Sequence, residues 1–123
     1  MRPPTNLEES VSAALACFDQ GVPYGIYNVT NPGVITTKQI VGWMEEESER
    51  RKQKGERNPF DRPFQFFSSQ ADFMSRAAMA PRSNCVLDSS KLLSTGIELR
   101  PVEIAVKDAL KHWQMSSECV EVR

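Results

Sequence analysis

The sequence predicts an α/β fold, mostly helical with a few short strands. Three observations carry that prediction. Gly25-Ile26-Tyr27-Asn28-Val29 gathers strand-forming side chains behind a glycine. Asn31-Pro32-Gly33 then halts the strand, because proline withholds a ladder donor and glycine accepts positive φ. Stretches with helical spacing and capping residues stand on either side of this run. A strand this apolar needs partners, and the chain offers few other candidates. Most of the sheet is therefore expected to lie in sequence outside this chain.

Taken in order, Thr5 to Gln20 reads as the first helix. Thr5-x-x-Glu8 has capping-box spacing. Leu7, Val11, Ala14, Leu15 and Phe18 form one apolar stripe, and Gly21 and Pro23 end the helix. After the Gly25 strand, the hydroxyls of Thr36 and Thr37 can cap a second helix that runs from about Thr37 through Glu49. Ile40, Val41 and Met44 give it a buried face, bordered by Trp43. Beyond Met44, the acidic run Glu45–Glu49 and the basic run ending at Lys54 can pair at i,i+4 and carry the helix into solvent.

Gly55 to Pro63 reads as a loop. Phe64, Phe66 and Phe67 are the next strand candidate, and Ser69-x-x-Asp72 suits a third, short helix. Phe60, Phe64, Phe66, Phe67 and Phe73 are expected in the core. They lack the interleaved cations of a base-stacking platform. Pro81 holds Ala80 extended, and Arg82, Ser83 and Asn84 set a cation beside hydrogen-bonding groups. The planar fork of an arginine suits phosphate. Asp88 is placed to cap a short helix over Ser89–Leu93, which Gly96 closes. Pro101 sits at the first position of a last helix, Val102 to about Gln114. The remaining residues, 115–123, show no periodicity and are expected to be a loosely ordered tail.

Bulk properties narrow the function classes. The 123 residues suffice for one small domain, and 40% hydrophobic and 25% charged residues are ordinary for a globular protein. A net charge of -1 argues against a dedicated nucleic-acid or anionic-membrane binder. No apolar run approaches the ~20 residues that span a bilayer, and the first residues lack a signal-peptide core. Cys17, Cys85 and Cys119 match neither a zinc site nor a disulfide framework, so a cytoplasmic location is expected. His112, the single histidine, has no companion at metal-ligand spacing. Catalytic hardware is missing as well. There is no glycine-rich phosphate loop and no hinted Ser/His/Asp set, and neither Tyr24 nor Tyr27 has a lysine four residues on.

The run Gly25 to Gly33, followed by Ala80-Pro81-Arg82-Ser83-Asn84-Cys85-Val86-Leu87-Asp88-Ser89-Ser90-Lys91-Leu92, resembles the C-terminal portion of the dTDP-4-dehydrorhamnose reductase group. These are extended short-chain dehydrogenases/reductases that act on nucleotide sugars. The likeness is closest to the epimerase/reductase of plant-type nucleotide-rhamnose synthesis. It covers roughly Thr5 to Gln114, and the Arg82–Leu92 motif is its more specific part.

The resemblance implies that residues 1–114 are the substrate-binding portion and that the Rossmann core is missing. It implies substrate contacts, or support of such contacts, from Arg82 and Asn84, and more weakly from Thr30 and Asn31. It implies no catalytic, cofactor-binding or metal residue here, with NADP or NAD belonging to the complete enzyme. The implied partners are a dTDP- or UDP-sugar and a separate or missing Rossmann part, with neither nucleic acid nor membrane. Uncovered apolar surface on the Gly25 strand and the first helix makes self-association or marginal stability a further expectation. The alternative is a non-catalytic interaction or regulatory protein on the same fold, as in a regulatory subunit of methionine adenosyltransferase.

Overall fold

The structure, a computed structural model, describes residues 6–80 and 86–114. Five helices account for about half of these residues: α1 (Leu7–Asp19), α2 (Thr37–Lys54), α3 (Gln70–Ala77), α4 (Ser90–Leu93) and α5 (Val102–Lys111). The mostly helical part of the prediction stands. The few short strands do not: no strand occurs among the described residues.

The reason lies in what a strand requires. Around Gly25 the alternation is present, with Tyr27 and Val29 packed inward and Ile26 and Asn28 exposed. A strand also requires a second extended segment alongside, and no ladder is formed among the described residues. Phe64, Phe66 and Phe67 are likewise outside any ladder. They are exposed rather than in the core, and Phe73 is half-buried against Phe67, ring centroids 5.3 Å apart. Phe60 alone of that aromatic set is buried.

Two packed regions hold the chain. In the first, Ala13 of α1 meets Leu92 of α4 together with Ile97 and Leu99, and Ala16, Cys17, Val22, Tyr27 and Val29 flank them. Leu92 is completely buried. Burying a leucine contributes about 1.5–3 kcal/mol and anchors this one-turn helix, whose first N–H, that of Ser90, is accepted by the Asp88 carboxylate at 2.8 Å, as the sequence predicts. In the second, α2 packs along α5, with Val41 buried on α2 and Val102, Ala105 and Leu110 buried on α5. Phe60 lies beside them, edge-on to Trp113 at 6.1 Å.

The caps explain the element boundaries. Helix α1 starts from Asn6, whose side chain accepts the Glu9 N–H, one residue later than the Thr5 box would place it. Helix α2 starts from Thr36 in a complete capping box with Gln39. It runs unbroken to Lys54 and ends at Gly55, φ +68°. Ser69 caps α3 by accepting the Asp72 N–H, yet α3 buries none of its residues. Helix α5 follows Pro101, and the Val102 N–H donates to the Pro32 carbonyl at 2.8 Å. Gly33, at φ +106°, allows that approach; a Cβ there would stand 3.1 Å from Val102 Cγ1.

The outer face of α1 is uncovered, as expected for the apolar stripe of the first helix. Leu7, Val11, Leu15 and Phe18 all face solvent, Leu7 at 77% and Phe18 at 86% exposure. The inward face consists of Ala13, Ala16 and Cys17. The helix is therefore apolar on both sides, which is the pattern of a helix covered on both sides. Among the described residues no helix is long and apolar enough to cross a membrane.

Candidate functional site

The turn at Thr30-Asn31-Pro32-Gly33 is a junction rather than an open edge. Asn31 is 1% exposed. Its Oδ1 accepts the Asn6 N–H at 2.9 Å, and its Nδ2 donates to Glu9 Oε2 at 2.8 Å and to the Arg100 carbonyl at 3.0 Å. One amide thus joins the start of α1 to the segment entering α5. Both donors and an acceptor are engaged inside the protein.

Glu9 extends the junction. Its Oε1 accepts the Arg100 N–H and Arg100 Nε, each at 3.0 Å. Arg100 reaches on to Asp108 at 3.3 Å. Partial burial pushes the Glu9 carboxyl up. The hydrogen bonds from Arg100 and Asn31, with the Arg100 charge, outweigh this and hold it below the ordinary carboxylate value. His112 caps the end of α5, exposed, with Nδ1 2.9 Å from the Asp108 carbonyl.

Thr30 is also buried, and its Oγ1 finds no hydrogen-bond partner among the described residues. The structure therefore brings Thr30 and Asn31 together in the interior, where Asn31 supports neighbouring segments. Arg82 and Asn84 lie outside the described residues, as does the 115–123 tail. Replacing Asn31 by alanine is expected to cost about 2–3 kcal/mol, since it leaves Glu9 and two backbone groups short of partners. Urea denaturation measures this; a loss under about 0.5 kcal/mol would mean the junction is not structural.

The charged run of α2 holds a second centre that sequence reasoning missed. Glu47 and Arg51 are both buried. Arg51 Nε donates to Glu47 Oε1 at 2.9 Å. Arg51 Nη2 donates to the carbonyls of Leu110, Lys111 and Trp113 at 3.3, 3.1 and 2.9 Å. Its guanidinium lies 5.6 Å from the Phe60 ring centre. One side chain from α2 therefore satisfies the open carbonyls at the end of α5. Arg50 Nε donates to Glu47 Oε2 at 2.8 Å. The Arg50 hydrogen bonds, set against burial and aided by Arg51, pull the Glu47 carboxyl down to about 2. The signal in the sequence was the i,i+4 spacing of Glu47 and Arg51. It reads equally well as a solvated pair.

A groove of about 370 Å³ lies beside this centre, lined by Glu45, Ser48, Lys52, Phe60, Asp61 and Arg62 among others. Lys52 is taken up by Asp61 at 3.0 Å, so the groove does not present it as a free cation. Neither Thr30 nor Asn31 lines it. Among the described residues no group of three or more His, Cys, Asp or Glu side chains is arranged to hold a metal ion. Comparison with family models, curated proteins and solved structures finds no match to this chain.

Proposed function

We propose that this chain is the substrate-side portion of an NAD(P)-dependent nucleotide-sugar reductase or epimerase of the dTDP- or UDP-4-keto-rhamnose type, inactive without a Rossmann part. The supporting observation is α1, apolar on its inner and outer faces with the outer face uncovered. A helix packed on a sheet would present such a face if the sheet were absent. In this reading Arg82 pairs with a phosphate of the nucleotide and Asn84 bonds the ligand beside it. Asn31 acts as a supporting group, since its hydrogen bonds are directed inward.

The test is ligand-linked stability. Millimolar dTDP-rhamnose or UDP-rhamnose is expected to raise the melting temperature of the wild type and to leave Arg82→Ala unmoved. NADPH with a dTDP- or UDP-linked 4-keto sugar is expected to give no turnover by the chain alone. Turnover would overturn the division of labour. An unmoved wild-type melt with both nucleotide sugars would overturn the substrate-side reading in favour of a non-catalytic interaction protein.

A further inference from the structure

We propose that the cleft between α2 and α5 is a binding site for a small organic phosphate. Its α2 wall carries Trp43 and Arg50, and its α5 wall carries Lys107, Lys111 and the buried Leu110. The cleft encloses about 200 Å³. Clefts that take drug-sized molecules run to ~300–1,000 Å³, so the occupant here is small. The site does not rest on the reductase reading, since none of these residues belongs to the Gly25–Gly33 or Arg82–Leu92 runs.

Charge selects an anion. Arg50, Lys107 and Lys111 face two carboxylates, Glu46 and Glu47, so the lining is positive by one charge in a chain of net charge -1. Glu47 is met by two guanidiniums, Arg50 on Oε2 and Arg51 on Oε1. Arg50 spends Nε and Nη2 on that carboxylate, and its Nη1 has no hydrogen-bond partner among the described residues. Lys107 lies 2.7 Å from Glu103 and 5.0 Å over the Trp43 ring. Lys111 has no ion-pair partner among the described residues. It stands one helical turn from Lys107, where like charges repel and an anion between them removes the repulsion. The indole of Trp43 and the side chain of Leu110 add an apolar wall beside these cations. A bare oxyanion leaves that wall unused, whereas the carbon part of a phosphate ester covers it. The phosphate oxygens then meet Lys107, Lys111 and Arg50 Nη1. Glu46, exposed, is the lining carboxylate that opposes them.

Calorimetric titration of the chain with phenyl phosphate tests the site, with inorganic phosphate and phenol as comparisons. One site per chain is expected. Inorganic phosphate is expected to bind at least ~10-fold more weakly, for want of apolar contact, and phenol not at all. Lys111→Ala and Lys107→Gln are each expected to weaken phenyl phosphate ~10-fold, as loss of a charge-assisted hydrogen bond does. Glu46→Gln is expected to tighten it. Lys38→Ala, which removes an exposed cation of α2 outside the cleft, is expected to leave it unchanged, as is Arg82→Ala. Thermal unfolding of each variant without ligand checks that the helices still pack. No binding at millimolar phenyl phosphate would overturn the proposal. So would equal binding of inorganic phosphate, wild-type affinity in both lysine variants, or loss of binding in Arg82→Ala.

Discussion

Replacing Arg51 by alanine is expected to lower stability by about 3–5 kcal/mol, the range for removing one partner of a buried ion pair. Arg51 holds Glu47 from within the same helix and satisfies three carbonyls at the end of α5. Its loss leaves Glu47 to Arg50 alone and uncaps α5 on the side facing α2. Domains of this size carry ~5–15 kcal/mol in total, so much of the reserve disappears. The double variant Glu47→Leu/Arg51→Met is expected to recover part of the loss, because it removes the buried charges together. Urea midpoints decide it: a single variant within about 1 kcal/mol of wild type would place Arg51 outside the set of structural groups.

The same centre sets an acid limb. Glu47 has a folded-state pKa of about 2 against an ordinary 4.5. Between those values the unfolded chain binds the proton and the folded chain does not. The contribution of Glu47 is therefore fully present above pH ~5 and lost as the pH falls toward 2. Glu9 is shifted in the same direction and adds to the limb. Glu47→Gln is expected to flatten the fall in urea midpoint between pH 5 and 2 without abolishing it. A profile as steep as wild type would mean Glu47 is not held by its arginines.

Leu92→Ala is expected to cost about 2–5 kcal/mol, the range for deleting a fully buried leucine. Leu92 is the contact through which a four-residue helix grips Ala13, Ile97 and Leu99. Helix α4 cannot persist on propensity at that length. Its neighbour Lys91, which donates to the Ile26 carbonyl at 3.0 Å and lies 4.5 Å over the Tyr27 ring, is expected to lose that position with it. Chemical denaturation gives the energy. A cost under about 1 kcal/mol would mean the surrounding side chains close over the gap.

What the sequence revealed follows how local each feature is. The start of α2 was legible because the Thr36 hydroxyl is local chemistry, whereas its end at Lys54 lies five residues beyond the expected Glu49, because Glu47 and Arg51 are buried against α5 rather than solvated. The start of α1 was misplaced by a residue because Thr5 and Asn6 are both good caps, and the Asn6 backbone is pinned by Asn31, twenty-five residues away. The alternation around Tyr27 and Val29 was read correctly as period two, but a ladder depends on a partner that no periodicity in this stretch can announce. Arg51 was invisible for the same reason: its partners on α5 lie about sixty residues further on. At the candidate site, the turn itself was legible from Asn31-Pro32-Gly33. That Asn31 bonds inward to Glu9 and Arg100 was not, because both partners are brought to it by tertiary packing.

The clasp between Glu9 and Arg100 joins residues ninety-one positions apart. A ribosome adding roughly 5–20 residues per second delivers the second of them some 5–20 s after the first. Throughout that interval the nascent α1 and its asparagine latch wait without the arginine that closes them. Vectorial synthesis therefore leaves α1 for chaperones to shield, and the lock shuts only as α5 is being made.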